Sequence, residues 1–141
     1  MNRPKSSADC WDAGNGFKNI PWGTKLSEFE EAIPVDPYAK VKIYKKKNDF
    51  CSLDQWTIDQ IYYGFCSERL CAVAMTYNER ALGLKLQNII TSKYGPPTKI
   101  EPVGPNDKIL IWRLDPLEIT LELKAEGALK FRSFKKINPT K

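Results

Sequence analysis

The sequence contains no histidine. That removes the commonest general base, the commonest metal ligand and the physiological pH switch together. A Ser-His-Asp or Cys-His enzyme is excluded outright. No apolar run approaches the ~18 residues that a membrane-spanning helix requires. No C-x-x-C pair occurs, and without histidine the cysteine spacings make no zinc site. There is no P-loop, no Gly-rich dinucleotide loop and no clustered-Asp cation loop, so neither a cofactor nor a metal is expected. The N-x-S/T pattern at Asn138-Pro139-Thr140 is disabled by its proline. Acidic pairs such as Glu30/Glu31 and Glu118/Glu122 imitate the two carboxylates of a glycosidase. Their placement, on a solvated helix face and on the outward face of an alternating strand, argues against that chemistry. A non-enzymatic role is the expectation.

What is present fits one domain. A chain of 141 residues can bury a core, and 42% hydrophobic with 28% charged residues is neither a disordered tail nor a membrane span. Lys and Arg outnumber Asp and Glu by 22 to 17, a net +5 that favours anionic surfaces only weakly. Residues 1–9 read as a disordered leader without the apolar centre of a signal peptide, 10–134 as the domain, and 135–141 as a basic tail.

Four cysteines, Cys10, Cys51, Cys66 and Cys71, form an even set. In a small chain with no metal pattern that points to two disulfides and an oxidising compartment. Thr57–Cys66 and Leu70–Tyr77 read as a hairpin. If Glu68 and Arg69 are the loop centre, Cys66 and Cys71 stand opposite each other, at ~4.5 Å between α-carbons in a non-hydrogen-bonded pair. A slip of one residue separates them. Cys51 with Cys71 and Cys10 with Cys66 are the alternatives.

The remaining elements follow from period and punctuation. Leu26, Phe29 and Ile33 share one helical face behind a Thr24 cap, and Pro34 ends it, so a first helix is expected over Leu26–Ile33. Lys40 to Lys45 alternates basic and apolar residues as a half-buried strand. Asn78 caps a second helix, and Leu82, Leu86, Ile89, Ile90 and Tyr94 form its apolar face. Gly83 weakens this helix by ~1 kcal/mol, which suggests close packing at that point. Gly95 and Pro96-Pro97 stop it. Strands follow at Thr98–Val103, Lys108–Leu114, Leu117–Lys124 and Ala128–Phe134. Short turns make these antiparallel neighbours. The expected fold is a two-layer α+β sandwich, two helices on one face of a mainly antiparallel sheet.

Two patterns look familiar. Phe17-Lys18-Asn19-Ile20-Pro21-Trp22-Gly23-Thr24 resembles the opening of small exported bacterial envelope proteins of mostly unknown function. Lys93-Tyr94-Gly95-Pro96-Pro97-Thr98 followed by a strand with Trp112 recurs in the same proteins. In outline they are similar to the β-lactamase inhibitor protein and to the small lipoprotein of the outer-membrane assembly machinery. The resemblance implies export to the periplasm or beyond, with the signal outside this sequence, and paired cysteines.

The functional expectation is a protein-binding, assembly or inhibitor-like module of the bacterial envelope, acting on an unidentified protein or on itself. Both faces of the hairpin carry apolar residues, so Tyr62, Tyr63, Phe65, Val73 and Met75 are the expected interaction surface. The alternative is a binder of anionic polymers (nucleic acid, lipopolysaccharide or acidic lipid) through Lys40, Lys42, Lys45, Lys46 and Lys47. An edge strand protected by lysine is the plainer account of that run, and nucleic acid is the least favoured of these ligands because the run lacks interleaved aromatics. Trp22, Trp56 and Trp112 are expected in the core, with Trp11 the most exposed.

Overall fold

Period-two alternation marks most strands from Gln60 onward, and these join two earlier strands in one large antiparallel sheet. The computed structural model describes residues 11–12, 16–36, 42–53 and 55–134. Strands β1 (Trp11–Asp12), β2 (Gly16–Phe17) and β3 (Ile20–Pro21) form a small meander. They are followed by β4 (Ala32–Asp36), β5 (Lys42–Lys46), β6 (Cys51–Leu53), β7 (Trp56–Ile58), β8 (Gln60–Cys66) and β9 (Arg69–Tyr77). The helix α1 (Arg80–Tyr94) precedes β10 (Lys99–Pro102), β11 (Lys108–Arg113), β12 (Leu117–Leu123) and β13 (Gly127–Ser133). Eight strands form the main sheet in the order β10-β11-β12-β13-β9-β8-β5-β4, while β6 and β7 pair separately.

Register sorts the residues into two faces. One row runs Tyr44, Tyr63, Val73, Phe131, Ile119 and Trp112 across neighbouring strands. The next runs Ile61, Met75, Leu129, Leu121 and Leu110. These rows form the core. The helix α1 packs on β12 and buries Leu82, Leu86 and Ile90, each worth ~1.5–3 kcal/mol relative to exposure. Phe17, from the small meander, seats its ring 5.9 Å from Tyr63 and 6.2 Å from Phe131. Trp112 is fully buried and donates its indole N–H to Gly95 O at 2.9 Å, tying the helix stop to β11. A side chain at Gly83 would approach the Tyr77 hydroxyl to 2.6 Å, so the helix glycine makes room for that ring.

The fold is mainly β, with more than half of the described residues in strands and one α-helix, not the expected two-helix α+β sandwich. The first helix is the error. Only a 3-10 turn forms, at Leu26–Glu28, and Ala32–Asp36 is an edge strand paired with β5. The backbone of this segment finds its partners elsewhere. Gly23 N–H donates to Leu70 O at 2.9 Å, Leu70 N–H to Thr24 O at 2.9 Å, and Leu26 N–H to Glu68 O at 2.8 Å. Phe29 then buries between Tyr63 and Phe65, with ring centroids at 4.8 and 5.1 Å. Ile33, on the supposed helical stripe, is 47% exposed. Pro34 is tolerated because an edge strand need not supply every ladder N–H. At the second helix the N-cap is Glu79, not Asn78, and no side chain caps it. Its end is as expected, with Gly95 at φ 87° and its N–H on Thr91 O at 2.8 Å.

Candidate functional site: the open face of the sheet and its two ends

The disulfide Cys66–Cys71 forms, though not by the expected pairing. Ser67 and Glu68 are the turn, both at positive φ, so Cys66 stands opposite Arg69. That is the one-residue slip that should have separated the cysteines. A β-bulge rescues the bond: Phe65 pairs with Leu70 and Gly64 with Ala72, which leaves Cys71 as the extra residue. The two α-carbons are then 5.7 Å apart, within disulfide range. Cys51 is also disulfide-bonded, and Cys10 lies outside the described residues.

Four members of the expected interaction surface are core residues: Tyr63 and Met75 are 0% exposed, Phe65 and Val73 1%. The helix, the small meander and Phe29 cover that face within the chain. Only Tyr62 looks the other way, half-buried, with its hydroxyl donating to Gln60 Oε1 at 3.0 Å. Nor do the lysines gather. Lys45 lies 5.5 Å over the Tyr62 ring, on one face of the sheet. Lys46 lies 5.2 Å over the Phe29 ring, on the other. Lys42 and Lys47 are exposed, and Lys40 lies outside the described residues. The same holds for 1–9, for 135–141 and for the side chain of Trp11. Trp22 is buried, as expected, and Trp56 is half-buried.

A partly buried polar cluster ties the small meander to the large sheet. Lys18 Nζ contacts Asp49 Oδ1 at 2.5 Å and donates to Phe50 O at 2.8 Å, while the Tyr63 hydroxyl donates to Asp49 Oδ2 at 2.7 Å. Burial, then the Asp49 hydrogen bond and charge, hold the Tyr63 hydroxyl above its ordinary pKa. Tyr77 donates to Glu122 O at 2.6 Å, and burial followed by the Glu122 charge pushes it up to about 12. Both phenols keep their protons more firmly than a free tyrosine does, the opposite of what a base or nucleophile needs. Among the described residues no cluster of acidic or cysteine side chains is placed to hold a metal, and no helix is long and apolar enough to cross a membrane.

The face away from the helix carries three rows. The first is Ile43, Gly64, Ala72, Arg132, Glu118 and Arg113. The second is Tyr62, Ala74, Lys130, Thr120, Ile111 and Lys99. The third is Gln60, Thr76, Ala128, Glu122, Ile109 and Glu101. Small residues floor the middle, and Lys130 and Arg132 stand exposed beside them. Charge changes along the strands. Beyond the third row, a groove of about 850 Å³ is lined by Asp59, Glu79, Glu122 and Glu126, with Trp56 and Lys130. Beyond the first row, a cavity of about 450 Å³ is lined by Arg69, Arg132, the disulfide, Trp22 and Phe134.

Neither arginine stood out in the sequence: Arg69 reads as a turn residue and Arg132 as an outward strand position. The available signal was their nearness to the cysteine hairpin and to the last strand, but it needs the pairing of β9 with β13 to be seen. No family model matches the chain, and comparison with curated proteins and with solved structures returns no match.

Proposed function

We propose that the chain is a non-enzymatic binding module of the bacterial envelope, which holds another protein on the open face of its sheet. The observation that carries this is the make-up of that face. Recessed Gly64, Ala72 and Ala74 lie between Tyr62 and the long side chains of Lys130 and Arg132. Several of its charges already answer one another, Lys130 with Glu122 at 2.7 Å and Arg113 with Glu118 at 3.4 Å. A polyanion would find these cations neutralised and the strand lysines divided between two faces. A protein with projecting apolar side chains, acidic towards the arginine end and basic towards the acidic groove, fits better. The disulfide Cys66–Cys71 is consistent with an oxidising compartment.

Site-specific photo-crosslinking in cells tests the reading. A crosslinker at Thr120, on this face, is expected to trap one discrete protein, and the Ala74→Arg substitution is expected to abolish the adduct. The same crosslinker at Ser92, exposed on the helix, is the control. Equal adducts from both positions, or an adduct indifferent to Ala74→Arg, would sink the proposal.

A further inference from the structure

The cavity at the disulfide end arises from an exchange of neighbours. Strand β13 pairs with β9 from Gly127 opposite Tyr77 as far as Arg132 opposite Ala72. It then stays with β12 while leaving β9, and Phe134 N–H donates to Pro116 O at 2.6 Å. The vacated edge of β9 is taken by the segment 23–26 through the Gly23, Leu70 and Leu26 hydrogen bonds and the Lys25–Arg69 bridge. Two segments therefore border one strand end to end, and the junction between them is the cavity.

The chemistry of the junction is one-sided. Arg69 donates from Nη1 to Gly23 O at 3.1 Å, which fixes the guanidinium against the incoming segment and leaves other N–H groups to turn elsewhere. The Arg132 guanidinium carbon lies 4.9 Å from the centre of the Phe134 ring. Among the described residues neither arginine forms an ion pair. Glu118, which faces Arg132 across the strands, is engaged by Arg113. Among the described residues no carboxylate lines the cavity, and Glu68 lines an adjoining depression with Lys25, Ser27 and Arg69 itself. The rest of the lining is Trp22, Gly23, Leu70, Phe134 and the disulfide, with Ser67 and Ser133. Two guanidinium groups without an ion pair among the described residues, beside a mainly apolar wall, suit an oxyanion, which the planar Arg fork grips through paired hydrogen bonds. The volume is that of a small-molecule site.

We propose that this junction binds an oxyanion, carboxylate or phosphate, carried on a short apolar chain. The inference does not rest on the protein partner, although Arg132 belongs both to the open face and to the cavity. Titrations followed by NMR, with octyl phosphate, octanoate, inorganic phosphate and octanol as probes, test it. Octyl phosphate or octanoate is expected to bind saturably and to shift the Arg69, Cys71 and Phe134 amides; the stronger of the two identifies the headgroup. Inorganic phosphate and octanol are each expected to bind at least about tenfold more weakly, because each lacks half of the complementarity. Arg132→Met is expected to weaken binding about tenfold, the cost of a lost charge-assisted pair. Arg80→Met, which removes an arginine paired with Asp107 away from the cavity, is expected to leave it unchanged. Because Arg132 is an exposed strand residue, its substitution leaves the core intact. No saturable binding of either chain-bearing anion, octanol binding as tightly as octanoate, phosphate alone as tightly as octyl phosphate, or equal effects of Arg132→Met and Arg80→Met would each overturn the proposal.

Discussion

At its Tyr77 end, β9 keeps β13 beside it; at its Cys71 end it exchanges β13 for the segment 23–26. The first end is closed by fit. The Tyr77 ring lies against Gly127 and Gly83, and its hydroxyl reaches Glu122 O. The second end is closed by a covalent staple and by backbone hydrogen bonds from a segment distant in sequence. Each end borders a depression, an acidic groove beside the packed Tyr77 and the cavity at the junction of two segments. The charges divide likewise, carboxylates at the packed end and arginines at the stapled end. Close packing against glycine and an arginine-lined cavity thus fall at opposite ends of one strand.

The sharpest way to break this contrast is to disturb the packed end. A Cβ on Gly127 would meet both Glu122 O and the Tyr77 ring, and backbone cannot yield as a flexible side chain can. Gly127→Val is expected to cost about 3 kcal/mol or more in chemical denaturation, an overpacking penalty at a site with no room to relax. Gly104→Ala, where the nearest side-chain atom is 3.8 Å away, is the control and is expected to fall within ~0.5 kcal/mol of the parent protein. A mild Gly127→Val would mean that Tyr77 can swing out, and that this end is not closed by fit.

Much of the packed end was legible in sequence. Period two marked β11, β12 and β13 because each strand is wet on one face, and Gly83 announced a close approach inside a helix. The stapled end was not legible, and the reasons are particular. Leu26, Phe29 and Ile33 have helical spacing by coincidence, since Phe29 answers Tyr63 and Phe65 while Ile33 answers solvent. The backbone of residues 23–26 is satisfied by a hairpin more than forty residues later, a partnership no local pattern encodes. The hairpin was also read as apolar on both sides, yet the aromatic side is its core and the other is floored by alanine and glycine. Alternation shows that a strand has two faces; which one a remote helix covers is a tertiary fact.

The staple provides the second test. Replacing Cys66 and Cys71 together by Ala is expected to cost about 2 kcal/mol, the value for so short a closed loop. The loss should be local. Amide hydrogen exchange should quicken at Gly23, Leu26 and Leu70, which depend on the hairpin tip, and stay slow at Met75 and Tyr77. Uniform quickening along β9 would show that the two ends unfold together and would erase the distinction.

The smallest expected effect separates the phenols. Tyr77→Phe keeps the ring against the glycines and loses only the hydroxyl bond to Glu122 O, about 1 kcal/mol at neutral pH. The variant should differ more in its alkaline behaviour. The Tyr77 pKa rises from 10.0 to about 12 in the fold, because burial and the Glu122 charge disfavour the phenolate. Folding therefore holds the proton that the unfolded chain releases. This contribution is complete below the unfolded value, and it is lost as pH climbs from about 10 through 12. Tyr77→Phe should reduce the decline in stability across that interval without abolishing it, since Tyr63 is displaced in the same direction by its own burial and by Asp49. Tyr63→Phe should remove the other share and leave Asp49 with Lys18 as its remaining partner. Unfolding curves measured at successive alkaline pH values would assign each share. An alkaline slope untouched by Tyr77→Phe would mean that this hydroxyl reaches water, and that the packed end is looser than its glycines imply.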